Sequence, residues 1–205
     1  MTKQNTPIRS ICVYCGSQPG RDAAHIQAGR TLGKSIADHG LGLVYGGGTR
    51  GIMGAVASGV LSAGGEVTGI IPEFLMDKEA TRHSLGQLSE LVVTADMHER
   101  KHKMFERADA FVALPGGIGT LEEIVEIMTW AQLGRHRKPM VFGNINSFWN
   151  PMLELLQHMR DQGFVHTAHL VQPLVIDRAE DIVPAILASA AAMGREGEAE
   201  IISKL

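Results

Sequence analysis

A chain of 205 residues, 44% hydrophobic and 20% charged, is long enough for one domain with a substantial core and ordinary for a globular protein. Its net charge of −3 argues against a nucleic-acid-binding surface as its main business. Met1–Pro7 lacks an apolar secretory core, and no stretch approaches the roughly 20 apolar residues of a membrane span, so a cytoplasmic protein with no membrane partner is expected.

Strand and helix patterns alternate along the chain. A strand over Ser10–Cys15 precedes a helix over Asp22–His39, and a strand over Gly42–Tyr45 precedes a helix over Gly51–Ala63. A strand over Glu66–Ile71 leads into Pro72–Glu90, whose mixed charges suggest an irregular segment placed to cover a pocket. Then come the strand Leu91–Thr94, the helix Asp96–Ala108, the strand Ala110–Leu114 and the helix Thr120–Leu133. The last pairs are Pro139–Phe142 with Ser147–Gln162, and Pro173–Ile176 with Arg178–Ala192. This order predicts an α/β, doubly wound, Rossmann-like fold: a mainly parallel sheet with helices on both faces. One domain over residues 1–205 is expected, with 1–8 and 195–205 as tails.

Three glycine turns follow strands: Cys15-Gly-Ser-Gln-Pro-Gly20, Gly46-Gly-Gly-Thr-Arg-Gly51 and Pro115-Gly-Gly-Ile-Gly-Thr120. In an open α/β sheet, ligands bind beyond the carboxyl ends of the strands, so three such turns along one rim point to a nucleotide site. No GxGxxG with its following acid and no GxxxxGK[ST] is present, which disfavours a dinucleotide dehydrogenase and a P-loop NTPase. The third turn joins a strand to a helix start, an arrangement suited to a phosphate. Glu122 and Glu123 follow immediately, which is electrostatically awkward beside an anion. One explanation is a capping box, with Thr120 as N-cap and Glu123 three residues on.

Two further patterns invite chemistry. Arg100 and Lys101 edge an apolar stripe of the helix from Asp96, together with Met97 and Met104. The same segment holds a formal HExxH, His98 to His102, but the intervening Arg and Lys would repel a divalent ion, so no metal is expected. Cys12 and Cys15 form a CxxC, yet positions three apart on a strand face opposite sides, so buried structural thiols are expected.

Pro115-Gly-Gly-Ile-Gly-Thr-Leu-Glu-Glu123 resembles the PGGxGTxxE motif of the LONELY GUY (LOG) family, and Met97-His-Glu-Arg-Lys101 resembles its MxxRK-type motif. Cys15-Gly-Ser17, Gly46-Gly-Gly48 with Gly51-Ile-Met-Gly54, and Thr129-Trp-Ala-Gln-Leu-Gly134 extend the likeness over roughly residues 10 to 180. The resemblance implies hydrolysis of the N-glycosidic bond of cytokinin riboside 5′-monophosphates, and often of AMP, to free base and ribose 5-phosphate. It implies Arg100 and Glu123 as the catalytic pair and Gly117, Ile118, Gly119 and Thr120, with Gly116, as the phosphate loop. Glu79, Lys101 and Thr129 would be further substrate contacts, with Gly16, Ser17, Gly46, Gly47 and Gly48 lining the rim. It implies no cofactor and a homodimer. Members are often labelled possible lysine decarboxylases, but nothing in this sequence suggests a pyridoxal lysine with its partner residues. A non-catalytic nucleotide or molybdenum-cofactor carrier on the same scaffold is the alternative, although a carrier needs neither Arg100 nor Glu123.

Overall fold

A computed structural model describes residues 7–79, 81, 85–165 and 172–202; for residues 77, 79 and 194–202 it describes the backbone alone. The strands are β1 (Ser10–Tyr14), β2 (Gly42–Tyr45), β3 (Val67–Pro72), β4 (Glu90–Thr94), β5 (Ala110–Ala113), β6 (Met140–Gly143) and β7 (Leu174–Ile176). The helices are α1 (Ala23–Asp38), α2 (Gly51–Ser62), α3 (Glu73–Glu79), α4 (Met97–Arg107), α5 (Ile118–Gln132), α6 (Asn150–Asp161) and α7 (Ala179–Ile202). No described helix is long and apolar enough to cross a membrane.

The strands form one sheet in the order β4-β3-β2-β1-β5-β6-β7, and every neighbouring pair is parallel. Parallel strands covered on both faces read as continuous apolar runs, and β1 and β5 are buried almost throughout. Alternate side chains of β1 serve different layers. Ile11, Val13 and Cys15 pack with α1, α2 and α7, whereas Cys12 and Tyr14 pack with residues of α4, α5 and α6. The two thiols therefore face opposite sides of the sheet, as their spacing requires. In α1, Leu32 and Ile36 are fully covered, and each such side chain stabilises by about 1.5–3 kcal/mol relative to exposure.

Helix α7 continues to Ile202, past the expected Ala192 and into the segment 195–205 expected as a tail, and other elements also differ from expectation. The segment after β3 begins with a helix, α3, rather than irregular chain, and Thr81 then donates its amide to Thr49 Oγ1 at 3.2 Å, returning the segment to the loop after β2. Before α6, Asn144 accepts the Trp149 amide on its Oδ1 and donates to Asn150 and Asp177, so a 3₁₀ turn at Ile145–Ser147 occupies the expected start of that helix. These side-chain bonds offer the backbone an alternative to an earlier helix start.

The strand order reverses between β1 and β5. In open α/β sheets, ligands bind beyond the carboxyl ends of the strands at such a switch point.

Candidate active site

The loops after β1 and β5 are tied together at this switch point: the Gly16 amide donates to the Pro115 carbonyl at 3.0 Å. The Gly16 carbonyl in turn accepts from the Ile52 and Met53 amides at the start of α2. Gly16 and Ser17 thus line the junction, while Gly46, Gly47 and Gly48 are buried beside it. Helix α5 begins with Gly117 as its N-cap, and no side chain caps it. Gly117, Ile118 and Gly119 are exposed, and a Cβ added at Gly117 or Gly119 would meet nothing within 4 Å. An uncapped helix start with open space before it offers free amides to an anion.

This start corrects the capping-box reading. Helix α5 opens at Ile118, not Thr120, and its first turn holds no acid. Thr120 is buried, and a Cβ at Gly116 would stand 2.2 Å from the Thr120 hydroxyl, so the glycine lets that side chain fold back under the loop. Glu123 then falls in the second turn, where it cannot serve as a capping residue and points inward, 8% exposed.

Arg100 comes from the first turn of α4 and is 4% exposed. Its Nη2 donates to the Gly46 carbonyl at 3.3 Å, and its Nη1 lies 3.6 Å from the Met97 sulfur. Its Nε is buried without a hydrogen-bond partner among the described residues. Gly46 is what admits this group, since a Cβ there would lie 1.9 Å from Nη2. A buried guanidinium with a donor to spare is costly unless something else completes its bonding.

The charge of Glu123 is felt along β1, and that of Arg100 at Cys12. Burial first, then the charge of Glu123, raises the Cys12 thiol, whereas Arg100 opposes that rise. Burial and Glu123 likewise raise Cys15, and both contribute to the rise at Tyr14. The two thiols stay protonated, which removes them as nucleophiles.

Lys101, next to Arg100, sends its ammonium across to α5. It lies 2.5 Å from Glu122 and 3.1 Å from Glu126. Glu126 was not singled out from the sequence, although its i,i+4 relation to Glu122 was a usable signal. Thr129 is not brought to the rim within one chain. It stands on the outer face of α5, about 14 Å along the axis from Thr120, with its hydroxyl bonded to the Val125 carbonyl. The Glu79 side chain lies outside the described residues.

The HExxH histidines are both exposed, and His102 lies beside Glu106. Their intervening Glu99 forms a capping box with Asp96: Asp96 accepts the Glu99 amide at 2.8 Å, and Glu99 accepts the Ala95 amide at 2.8 Å. Among the described residues, no group of three or more His, Cys, Asp or Glu is placed to hold a metal ion.

Residues 53–186 match a family model described as "Possible lysine decarboxylase". The chain is 45% identical over 163 residues to the cytokinin riboside 5′-monophosphate phosphoribohydrolase LOG of Oryza sativa subsp. japonica, a match covering 80% of this chain and 66% of the rice protein. It is 43% identical over 179 residues to the cytokinin riboside 5′-monophosphate phosphoribohydrolase of Rhodococcoides fascians, covering 87% of this chain and 89% of that protein. In fold it is similar to the molybdenum cofactor carrier protein of Chlamydomonas reinhardtii, with a TM-score of 0.64 at 21% identity, covering 90% of this chain and 99% of that one.

Neither Lys101 nor Lys138 fits pyridoxal chemistry, which needs a free, deprotonated lysine at the site. Burial would lower the pKa of Lys101, but its hydrogen bonds to Glu122 and Glu126 leave it raised. Lys138 is lowered by burial, yet it precedes β6 at the opposite end of the sheet and donates to the Phe105 carbonyl. The motif from Pro115 to Glu123, the match over most of the chain and the identity to these relatives agree, and the chain belongs to the LONELY GUY (LOG) family.

Proposed function

We propose that this chain hydrolyses the N-glycosidic bond of adenosine 5′-monophosphates, N6-modified ones and AMP itself, releasing free base and ribose 5-phosphate. The observation that carries this reading is the pair of buried opposite charges, Arg100 and Glu123, beside an uncapped helix start at the switch point. The phosphate docks at the amides of Gly117–Thr120. Breaking the C1′–N9 bond builds positive charge on the ribose, and the Glu123 carboxylate faces that charge or orients the attacking water. The water oxygen bonds to C1′, the N9 electron pair leaves with the base, and the base takes up a proton. The free Nε of Arg100 gives the substrate a charged donor that no protein group in the described residues takes up.

The reading includes a homodimer in the cytoplasm. The outer face of α5 exposes Ile118, Val125 and Leu133, with Ile118 86% exposed, and a second copy laid on that face would also bring Thr129 toward a neighbouring crevice. The carrier reading has the fold likeness in its favour, but a carrier of an anionic ligand gains nothing from a buried carboxylate beside the anion site. The test is incubation of the purified protein with AMP and with an N6-prenylated AMP, followed by chromatography. Free base and ribose 5-phosphate from either nucleotide support the hydrolase; tight binding without base release supports the carrier.

A further inference from the structure

We infer that the turn between β6 and α6, residues 144–149, is a clasp that fixes where the phosphate loop stands, with Trp149 and Asn146 as its positioning residues. This assignment rests on the proposed hydrolase reading, in which the amides of residues 117–120 take the phosphate. Strand β5 leads into that loop and lies between β1 and β6 in the sheet. From the β1 side, the Gly16 amide donates to the Pro115 carbonyl at 3.0 Å. From the β6 side, the Trp149 indole donates through Nε1 to the carbonyl of Ala113, the last residue of β5, at 3.0 Å in a buried contact. The root of the loop is therefore held from both neighbours, by backbone on one side and by a side chain on the other.

The turn also crosses the carboxyl edge of the sheet. Ile145 packs in the layer of α1, α2 and α7, whereas Trp149 packs in the layer of α4, α5 and α6. Toward α1, Asn146 Nδ2 donates to Asp22 Oδ2 at 2.7 Å, and the other oxygen of Asp22 accepts the Ala24 amide as the N-cap of α1. The Phe148 ring meets His25 of the same helix edge-on, with 5.5 Å between centroids. Asn146 and Ser147 reach these positions at φ of 50° and 60°, a left-handed conformation uncommon outside glycine. Two such residues in succession persist only where the surroundings over-determine the backbone, and strain of this kind clusters where function needs a fixed geometry. Buried Asn144 supplies that determination: it accepts the Trp149 amide and donates to Asn150 and Asp177. One short turn thus ties the start of α1, which follows the loop of Gly16 and Ser17, to the end of β5.

Breaking such a clasp must weaken phosphate recognition more than it weakens the rest of the site. Trp149→Phe keeps a ring in the core but removes the donor, and Asn146→Ala, at an exposed position, removes the bond to Asp22. Both are compared with wild type for the Kd of ribose 5-phosphate by calorimetry, for kcat/KM on AMP and on adenosine, and by thermal melt to show that they fold. Each should weaken ribose 5-phosphate by about threefold or more, the result of a loop displaced by well under about 1 Å. Adenosine has no phosphate to place, so the ratio of kcat/KM for AMP to that for adenosine should also fall by about threefold or more. The clasp is overturned if Trp149→Phe, or Asn146→Ala where the first does not fold, changes ribose 5-phosphate binding by less than about threefold. It is also overturned if kcat/KM for AMP and for adenosine fall by the same factor, which would make the turn a support of the whole fold. A wild type that binds ribose 5-phosphate but releases no base from AMP or its N6-prenylated form overturns the hydrolase reading instead, and the binding measurements still judge the clasp.

Discussion

Replacing Gly46 by Ala should disable the site without substituting any charged residue. The new Cβ would stand 1.9 Å from Arg100 Nη2 and 3.1 Å from its Cζ. Ordinary contact needs about 3.5 Å, so the guanidinium must retreat by roughly 1.5 Å or more. Because the obstruction is the far end of a long side chain, the backbone can keep its path, and the loss of stability should stay within about 1–3 kcal/mol, the usual cost of overpacking. The catalytic loss should be larger. A misplacement of about 1 Å at a reacting centre costs on the order of a hundredfold, so kcat/KM for base release from AMP should fall at least that far. The assay pairs initial-rate kinetics with a thermal melt of the same preparation. A Gly46→Ala protein that melts near wild type and retains its kcat/KM would refute the idea that the Arg100 seat on Gly46 sets activity.

The remaining expectations concern charge, pH and metal. Glu123→Gln removes a negative charge from a second-turn position with no capping duty, so kcat should fall by about two to four orders of magnitude in a protein that still folds; near-normal kcat in initial-rate assays would remove Glu123 from the chemistry. His136 is buried, and its pKa is lowered by burial, with Lys138 nearby adding to the effect; the Lys138 amide donates to Nδ1, which fixes the neutral ring with its proton on Nε2 facing the Ile127 carbonyl. Its contribution to stability is therefore complete above the unfolded value near 6.5 and is lost as pH falls through the lower folded value, so melting temperature should drop over that window and drop less in His136→Gln. An unchanged slope in the variant's melts would contradict the burial argument. Prolonged chelation should leave base release intact; loss restored by added zinc would mean that His98 and His102 act as ligands after all.

The alternation of strands and helices was legible because both periodicities are strong in this chain, and the three glycine turns marked the rim, although the strand order that sets the switch point was not readable. Arg100 and Glu123 were singled out through their motifs, and Arg100 also through its place at the edge of an apolar stripe. The start of α5 was not, because Thr120-Leu-Glu-Glu123 imitates a capping box while the real N-cap, Gly117, contributes no side chain to recognise. Helix α3 was hidden by its shortness and mixed charge directly after Pro72. The contact between Gly46 and Arg100 spans 54 positions, and no local pattern encodes it. The Lys101 cluster was half visible: its acids share a helix face, but only the packing of α4 against α5 brings the ammonium between them.

The most direct test of a phosphate-anchored glycosidase site is the ratio of kcat/KM for AMP to that for adenosine, scored by released adenine. Two or three charge-assisted bonds from the amides at the start of α5 are worth roughly 4–6 kcal/mol together, at about 1.5–3 kcal/mol each with imperfect additivity. At about 1.4 kcal/mol per tenfold, AMP should exceed adenosine by about three orders of magnitude or more. Values within tenfold of each other would mean that the loop from Gly116 to Thr120 is ordinary turn chemistry and that the phosphate is held elsewhere, if it is held at all.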